Sequence, residues 1–390
     1  MNGLIFRIIG SQLVVLSTRM IIFYITLLLF AGYGILIVYY WLSWKSIPEF
    51  FPNPLLHSTH ASVIIAARNE ENNIGKLLQA LQKQTYPQNL FEVIVVNDHS
   101  TDNTVEVVEG FQNVKRIDLE TASSNSYKKK AIELGIRAAS GSLILTTDAD
   151  CIPPTMWIET MVAFYEKEKP VFIAAPVVIQ NNSSILQIFQ ALDFLVLQGI
   201  TAASVNKKIH SMCNGANLTY EKEVFNAIDG FENIDHIASG DDMLLMHKIT
   251  TKFPAKVRYL KSKQVIVSTE PMKTWAAFFN QRIRWASKAR FYNDKRIFWA
   301  LVLVYLFNFS FLILLVAAFW NIKFLIFFLL LWVAKTIIEL PLLYSITKYF
   351  DQSPLMKYFF FFQPLHIAYT IVAGWLGQFK KYEWKGRIVR

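Results

Sequence analysis

From Met20 to Trp41 the chain runs without a single charged side chain. An uninterrupted apolar stretch of about twenty residues is the length a helix needs to cross a bilayer. Arg19 and Lys45 bound the run, and Tyr39, Tyr40, Trp41 and Trp44 close it with the aromatic pattern of a membrane interface. A cleaved signal peptide is the competing reading, but the run is too long and lacks a small-residue cleavage site. Upstream, Leu4 to Leu16 is apolar yet carries Arg7 and Gln12, which suits a helix lying in the interface. Residues 1–45 are therefore expected to form an N-terminal membrane segment with one transmembrane helix. Composition agrees: 53% hydrophobic residues, 31 Phe and 10 Trp exceed what a soluble domain needs, so part of the chain belongs in lipid.

Residues 46–270 read differently, as an α/β domain of strands alternating with amphipathic helices. Ala61 to Ala67 is the first predicted strand, and Asn69, Glu70 and Glu71 are expected to open a helix with Ile74, Leu77, Leu78 and Leu81 on its buried face. Phe91 to Val96 is the second strand; Ser100 or Thr101 is placed to cap the next helix. A strand near Val114 to Leu119, a polar loop over Thr121 to Ser126 and a helix from Lys128 to Ala139 follow. The run from Ser142 to Asp150 then reads as a buried strand of a parallel sheet, and the helix after it begins at Pro153 and Pro154.

Ligands bind beyond the carboxyl ends of parallel strands, so Asp98, Asp148 and Asp150 should emerge at the mouth of one site. Asp148 and Asp150, separated by one small residue, suit a hard cation that also holds a diphosphate. The bland alternative is a solvated turn. Asp98 can accept from a base or ribose, and a lysine from Lys128, Lys129 and Lys130 can neutralise phosphate. A solvated charge run is the better reading for the first two lysines. Cys151 and Cys213 fit no metal spacing and read as small packing residues of a chain facing a reducing compartment.

Six stretches in order carry a resemblance. Val63 to Glu71, Val96 to Thr104 and Asp148-Ala149-Asp150 resemble the nucleotide-sugar motifs of the inverting family 2 glycosyltransferases of GT-A fold. Cys213 to Asn217, Gly240-Asp241-Asp242 and Gln281-Arg282-Ile283-Arg284-Trp285 resemble the acceptor, base and Q-x-x-R-W elements of its membrane-embedded members. Ala66 stands where the family usually has proline; Asn97 and His99 replace the more usual Asp and Gly. The resemblance implies a GT-A, Rossmann-like domain with a mostly parallel sheet, flanked by N- and C-terminal transmembrane helices. It implies a hexosyltransferase that uses Mg²⁺ or Mn²⁺ and a nucleotide-diphosphate sugar, with a UDP-sugar as the expected donor. Residue by residue, it assigns Asp98 to the base, Lys130 to the diphosphate, Asp148 to the nucleoside and the metal, and Asp150 to the metal. It further implies nucleotide-sugar contacts for Ala67, Asn69 and Glu70 and substrate contacts for Asn214, Gly215, Asn217, Gln281, Arg284 and Trp285. Asp242 becomes the general base beside Asp241, whose like charge is expected to raise one of the two pKa values. Asp241 also reads as a plain N-cap of the helix after it.

Residues 271–296 interleave aromatics with Arg282, Arg284, Lys288, Arg290, Lys295 and Arg296, a pattern suited to a helix in an anionic interface. Arg284 and Trp285 are expected at the diphosphate and the acceptor, and Lys288 and Arg290 at the lipid surface. In residues 297–390, Phe298 to Phe319 and Ile322 to Leu343 are each long enough to span, with Lys335 and Glu339 placed to form a buried ion pair. Phe359 to Leu376 is a third segment, interrupted by Gln363, Pro364 and His366. A full third span would put Lys380, Lys381, Lys385, Arg387 and Arg390 outside, against the positive-inside tendency, so a re-entrant or interfacial segment is preferred. The net charge of +10 fits an anionic membrane and a phosphorylated donor rather than nucleic acid. The expectation is an integral protein of a bacterial inner membrane with its catalytic domain in the cytoplasm. Its acceptor would be a lipid-linked or membrane-proximal glycan. A processive polysaccharide synthase is the alternative, and a non-catalytic membrane scaffold the more distant one.

Overall fold

A computed structural model describes residues 2–53, 58–120, 126–180, 184–209, 212–237, 239–288, 294–379, 382–384 and 387–389, with backbone alone for residues 2–18 and those beyond 377. In chain order the elements are α1 (Asn2–Ser46), β1 (Ala61–Ala67), α2 (Ile74–Gln82), β2 (Phe91–Asn97), α3 (Thr104–Glu109), β3 (Val114–Asp118), α4 (Tyr127–Ala138) and β4 (Leu143–Thr146). Then follow β5 (Cys151–Ile152), α5 (Trp157–Glu168), β6 (Phe172–Ala174), β7 (Val177–Ile179), α6 (Ile185–Asn206), β8 (Leu218–Glu221), α7 (Lys222–Ala227), α8 (Met243–Lys252), β9 (Val257–Tyr259) and β10 (Val267–Thr269). The chain closes with α9 (Trp275–Ala286), α10 (Lys295–Ala317), α11 (Ile322–Tyr349), α12 (Met356–Phe379) and a hairpin of β11 (Tyr382–Trp384) and β12 (Arg387–Val389).

A seven-stranded sheet in the order β3-β2-β1-β4-β8-β6-β9 forms the centre, with β1 to β4 mutually parallel and β8 antiparallel to both neighbours. Because side chains alternate across a strand, Ile64, Ile94 and Ile144 enter one apolar core while Val63, Ile65, Val95 and Leu145 enter the other. Both faces are covered, which is why these strands read as continuous apolar runs. A smaller sheet, β5-β10-β7, stands beside the ends of β4 and β6.

Three local expectations need correction. Residues 69–73 do not begin α2; Asn69 sits at a left-handed φ of 51°, and the amides of Glu70 and Glu71 bond to Thr104 Oγ1 and Asp102 Oδ2 at 2.7 and 3.2 Å. Those amides therefore lace the first motif loop to the second instead of starting a helix. Neither Ser100 nor Thr101 caps α3, whose N-cap is Asn103, because Ser100 Oγ and the Thr101 amide are bonded to Asn69. Pro153 and Pro154 precede α5, which starts at Trp157.

Among the described residues five helices are long and apolar enough to cross a membrane: Arg19–Ser46, Ile185–Asn206, Lys295–Ala317, Ile322–Tyr349 and Ser353–Gly377. The second of these, α6, was not anticipated, and it is mostly buried inside the protein. It packs between α1 and α11, where a Cβ on Gly199 would lie 2.0 Å from Ile346 Cδ1, so a larger residue would force the Ile346 side chain to move. Ser43 Oγ of α1 donates to the Ala203 carbonyl of α6 at 2.8 Å. The other four expose large apolar side chains such as Leu28, Ile35, Leu330 and Phe361. α1 is one continuous helix, so the separate interfacial helix expected at Leu4 to Leu16 is its first part. Pro364 lies within an unbroken α12, so the polar residues that interrupt the third C-terminal segment in sequence do not break its helix. The side chains of the cationic tail from Lys380 onward, and the stretch containing Arg290, Phe291 and Tyr292, lie outside the described residues, as does most of the Thr121 to Ser126 loop. Lys335 does pair with Glu339 at 2.7 Å; it also reaches Gln363 of α12 at 2.6 Å, and Tyr33 of α1 bonds to the same glutamate.

Candidate active site

The carboxyl ends of β1, β2 and β4 open onto a cleft of about 560 Å³. At the end of β2, Asp98 is buried, with the Arg68 guanidinium at 3.9 Å and His99 Nδ1 at 3.1 Å. After β4 the chain turns back through a bond from the Cys151 amide to the Asp148 carbonyl at 3.1 Å. That turn gathers ligand atoms of Asp148, Asp150 and Cys151 within 4.8 Å of one another. Burial pushes the Cys151 thiol well up, so it stays protonated and the carboxylate oxygens are the donors on offer. Two carboxylates beside an open cleft fit a hard cation such as Mg²⁺ or Mn²⁺, which completes its shell with water and phosphate oxygens.

The lysine run is used differently from the expectation. Lys128 enters the cleft, 2.7 Å from Asp148 Oδ1 and 2.9 Å from Asp241 Oδ2. Burial alone would lower its pKa, but the two carboxylates prevail and raise it. Lys129 is buried and donates to the carbonyls of Ile234, Ile237 and Ser239 at 2.7, 2.6 and 3.0 Å, holding the segment that leads to Asp241. Neither is a solvated charge. Lys130 is absent from the cleft wall, because residues two apart on a helix face nearly opposite ways.

The other wall comes from β8, α8 and α9. Asp242 caps α8, accepting from the Met243 amide at 2.7 Å, and also accepts from the Gly215 amide at 3.2 Å. The cap is thus Asp242, not Asp241. Asp241 faces Lys128, and although burial would raise its carboxyl, that ammonium holds it down to about 2. The upward shift expected from two neighbouring carboxylates is overridden at Asp241 by this cation. Gly215 is closely approached here: a Cβ would come within 3.2 Å of Asp241 Oδ2 and 3.4 Å of Lys128 Nζ, so a larger residue would push on the ion pair. From α9, Gln281, Arg284 and Trp285 reach the cleft, and so does Lys288, which stands 3.7 Å from Asp242 instead of at a lipid surface.

Of the residues singled out from sequence, Ala67, Glu70, Asp98, Asp148, Asp150, Asn214, Gly215, Asp241, Asp242, Gln281, Arg284 and Trp285 come together on the cleft wall. Asn69 and Asn217 do not. Asn69 stitches loops as described, and Asn217 is fully buried, accepting from Trp157 Nε1 at 2.9 Å and donating to the Pro176 and Val265 carbonyls at 2.7 Å each. Sequence reading gives no role to Arg68, which lies inside the first motif, and takes Lys128 for a solvated charge; both line the cleft.

A second cavity, about 710 Å³ and mostly apolar, lies between α6, α9, α10 and α12. It shares Phe194, Asn214, Asp242, Trp285 and Lys288 with the first. Leu301 and Leu306 of α10 and Trp375 of α12 line its far side and are exposed on the outer surface of those helices.

Among solved structures, the mannosyltransferase PcManGT from Pyrobaculum calidifontis, in complex with GDP-Man and Mn²⁺, shares the fold at a TM-score of 0.60 and 19% identity, covering 90% of this chain and 98% of that one. Glycosyltransferase AglE of Haloferax volcanii is 38% identical over 101 residues, 25% of this chain and 33% of that protein. Poly-beta-1,6-N-acetyl-D-glucosamine synthase of Staphylococcus epidermidis is 26% identical over 234 residues, 58% of this chain and 53% of that protein. The matched regions thus span about a third and about half of those two relatives. Residues 62–228 match the family model described as Glycosyl transferase family 2, and the fold is mixed α/β and GT-A-like.

Proposed function

We propose that the chain is a membrane glycosyltransferase that moves a sugar from a nucleotide-diphosphate sugar, a UDP-sugar in the first instance, to a lipid-linked acceptor with inversion. The observation that carries this reading is the wall shared by the two cavities: a polar cleft bearing Asp98, Asp148 and Asp150 adjoins an apolar cavity between long apolar helices, and Asp242 faces both. Asp98 binds the base or ribose. Asp148 and Asp150 hold Mg²⁺ or Mn²⁺, which when bound neutralises charge on the departing diphosphate. Arg284 grips a phosphate with its planar fork. The acceptor hydroxyl oxygen attacks the anomeric carbon from the side of Asp242; that C–O bond forms as the bond to the diphosphate breaks, the electron pair leaves with the diphosphate, and the proton passes to the Asp242 carboxylate. Asp241, held at about 2, is too acidic to take that proton efficiently near neutral pH.

A processive synthase needs a path for a hydrated polymer, and the apolar lining of the second cavity favours a hydrocarbon chain instead. Five apolar helices support a membrane location, and a cytoplasmic catalytic domain follows from where nucleotide sugars are made. The test is purified protein in detergent with a panel of radiolabelled nucleotide sugars and Mn²⁺, with and without a prenyl phosphate or a diacylglycerol. Label entering the organic phase is expected with one of the lipids. Label found only in long water-soluble polymer, or no nucleotide released from any donor, overturns the reading.

A further inference from the structure

Arg282 lies inside the Gln281–Trp285 motif but points away from the donor cleft. It is buried; its Nε donates to Asp193 Oδ2 of α6 at 2.8 Å and its Nη2 lies 2.7 Å from the same oxygen. Its Nη1 donates to Gln281 Oε1 at 2.7 Å, and its guanidinium lies 4.2 Å from the Trp285 ring centre and 4.6 Å from that of Phe278. Asp193 is buried too, and its other oxygen accepts from Tyr369 of α12, with His366 Nε2 at 3.8 Å. One ion pair therefore touches two of the residues that α9 brings to the site, Gln281 and Trp285, and anchors them to α6 and α12.

We infer that Asp193 and Arg282 are positioning residues that set Trp285 and Gln281 on the wall between the donor cleft and the apolar cavity, and so govern delivery of the acceptor rather than binding of the donor. This rests on the lipid-acceptor reading above. The planar guanidinium matters as well as its charge, because it stacks on the indole while its edge meets the carboxylate. A misplacement of the wall by about 1 Å is enough to cost on the order of a hundredfold in rate.

A merely structural pair would be rescued by removing both charges, since well-packed apolar residues replace buried ion pairs without loss of stability in many proteins. The decisive variant is Asp193→Leu combined with Arg282→Met, with Arg282→Lys as the single change that keeps the charge. On full-length protein labelled with 5-fluorotryptophan, the Trp285 resonance is assigned from Trp285→Phe; donor affinity, nucleotide release and transfer to lipid are then measured. A folded double variant with nucleotide-sugar affinity near wild type, a transfer rate lower by about tenfold or more, and a displaced Trp285 resonance is expected. Wild-type transfer, or a decline in donor affinity matching that in transfer, overturns the inference. If the double variant does not fold, Arg282→Lys decides by the same criteria. If the wild type turns over no donor, the functional reading fails separately; the fluorine resonance then decides alone, and an unmoved Trp285 signal overturns the positioning role.

Discussion

The Lys128 ammonium lies 2.9 Å from the Asp241 carboxylate, and the same nitrogen is 2.7 Å from Asp148. One side chain therefore joins the acidic pair after β4 to the acidic pair before α8, across the floor of the cleft. Replacing Lys128 by Met removes the ammonium that bridges Asp148 and Asp241, while Lys130→Met changes a side chain outside the cleft wall. Lys128→Met should lower turnover by about a hundredfold, the scale expected when an electrostatic contact in a reacting site is lost. Lys130→Met should stay within about twofold. Steady-state rates on the two variants check this, and the reverse order would restore the sequence-based choice of Lys130.

The same contact makes a pH prediction for the metal-free protein. The folded Asp241 carboxyl at about 2 lies below its unfolded value of ~3.9, so its contribution to stability is present above about pH 4 and is lost as the pH falls toward 2. The size is roughly 2 kcal/mol, given that the side chain is 12% exposed. Asp241→Asn should flatten the acid limb of the stability curve in that window, read from thermal midpoints in detergent between pH 5 and pH 2. An unchanged slope would mean that Lys128 does not hold the carboxyl down.

How far this site could be read in advance depended on how local each cause was. Asp98, Asp148 and Asp150 were legible because a parallel strand delivers its last residues to one edge, a rule that needs only the apolar run before them. Lys128 was not, because which of three consecutive lysines faces inward depends on the helical phase set where α4 starts at Tyr127. The helix α6 escaped notice for a different reason. Its polar residues Gln190, Asp193 and Gln198 find partners at Met272, Arg282 and Val177, and only the fold brings those together. Composition alone assigns Lys288 to lipid, yet the end of α9 just before it leaves its ammonium 3.7 Å from Asp242. The stretches singled out between Val63 and Trp285 meet at one cleft; which side chain of each faces it needed the packing.

The metal makes the next prediction. Ligand atoms of Asp148, Asp150 and Cys151 lie within 4.8 Å of each other, and the thiol is kept neutral by burial, so the two carboxylates should carry cation binding. Asp150→Ala should abolish transfer, and Cys151→Ser should bind Mn²⁺ nearly as well as wild type. Titration of Mn²⁺ followed by its paramagnetic effect on water relaxation checks both without any turnover. Full activity of wild type in excess EDTA would remove the metal from the mechanism.

Asp242 carries the sharpest test, because the observed cap and the proposed proton transfer fall on the same carboxylate. Its oxygens accept from the Met243 and Gly215 amides at 2.7 and 3.2 Å. Asn caps a helix about as well as Asp, so Asp242→Asn with its carbonyl oxygen toward Met243 should keep α8 capped, at the cost of the bond from the Gly215 amide. What it removes is the ability to accept a proton, a contribution on the order of 10² to 10⁴ in rate. On the proposed reading donor affinity rests on Asp98, the cation and Arg284 instead, and should change little. Asp241→Asn does the opposite: it strips Lys128 of a partner without removing a base, so it should weaken donor binding more than it slows the chemical step. Measuring nucleotide-sugar affinity and single-turnover transfer on both variants separates the two aspartates. A dead Asp241→Asn that still binds donor, beside an active Asp242→Asn, would place the base at Asp241 despite its depressed pKa and would show that Asp242 serves α8 alone.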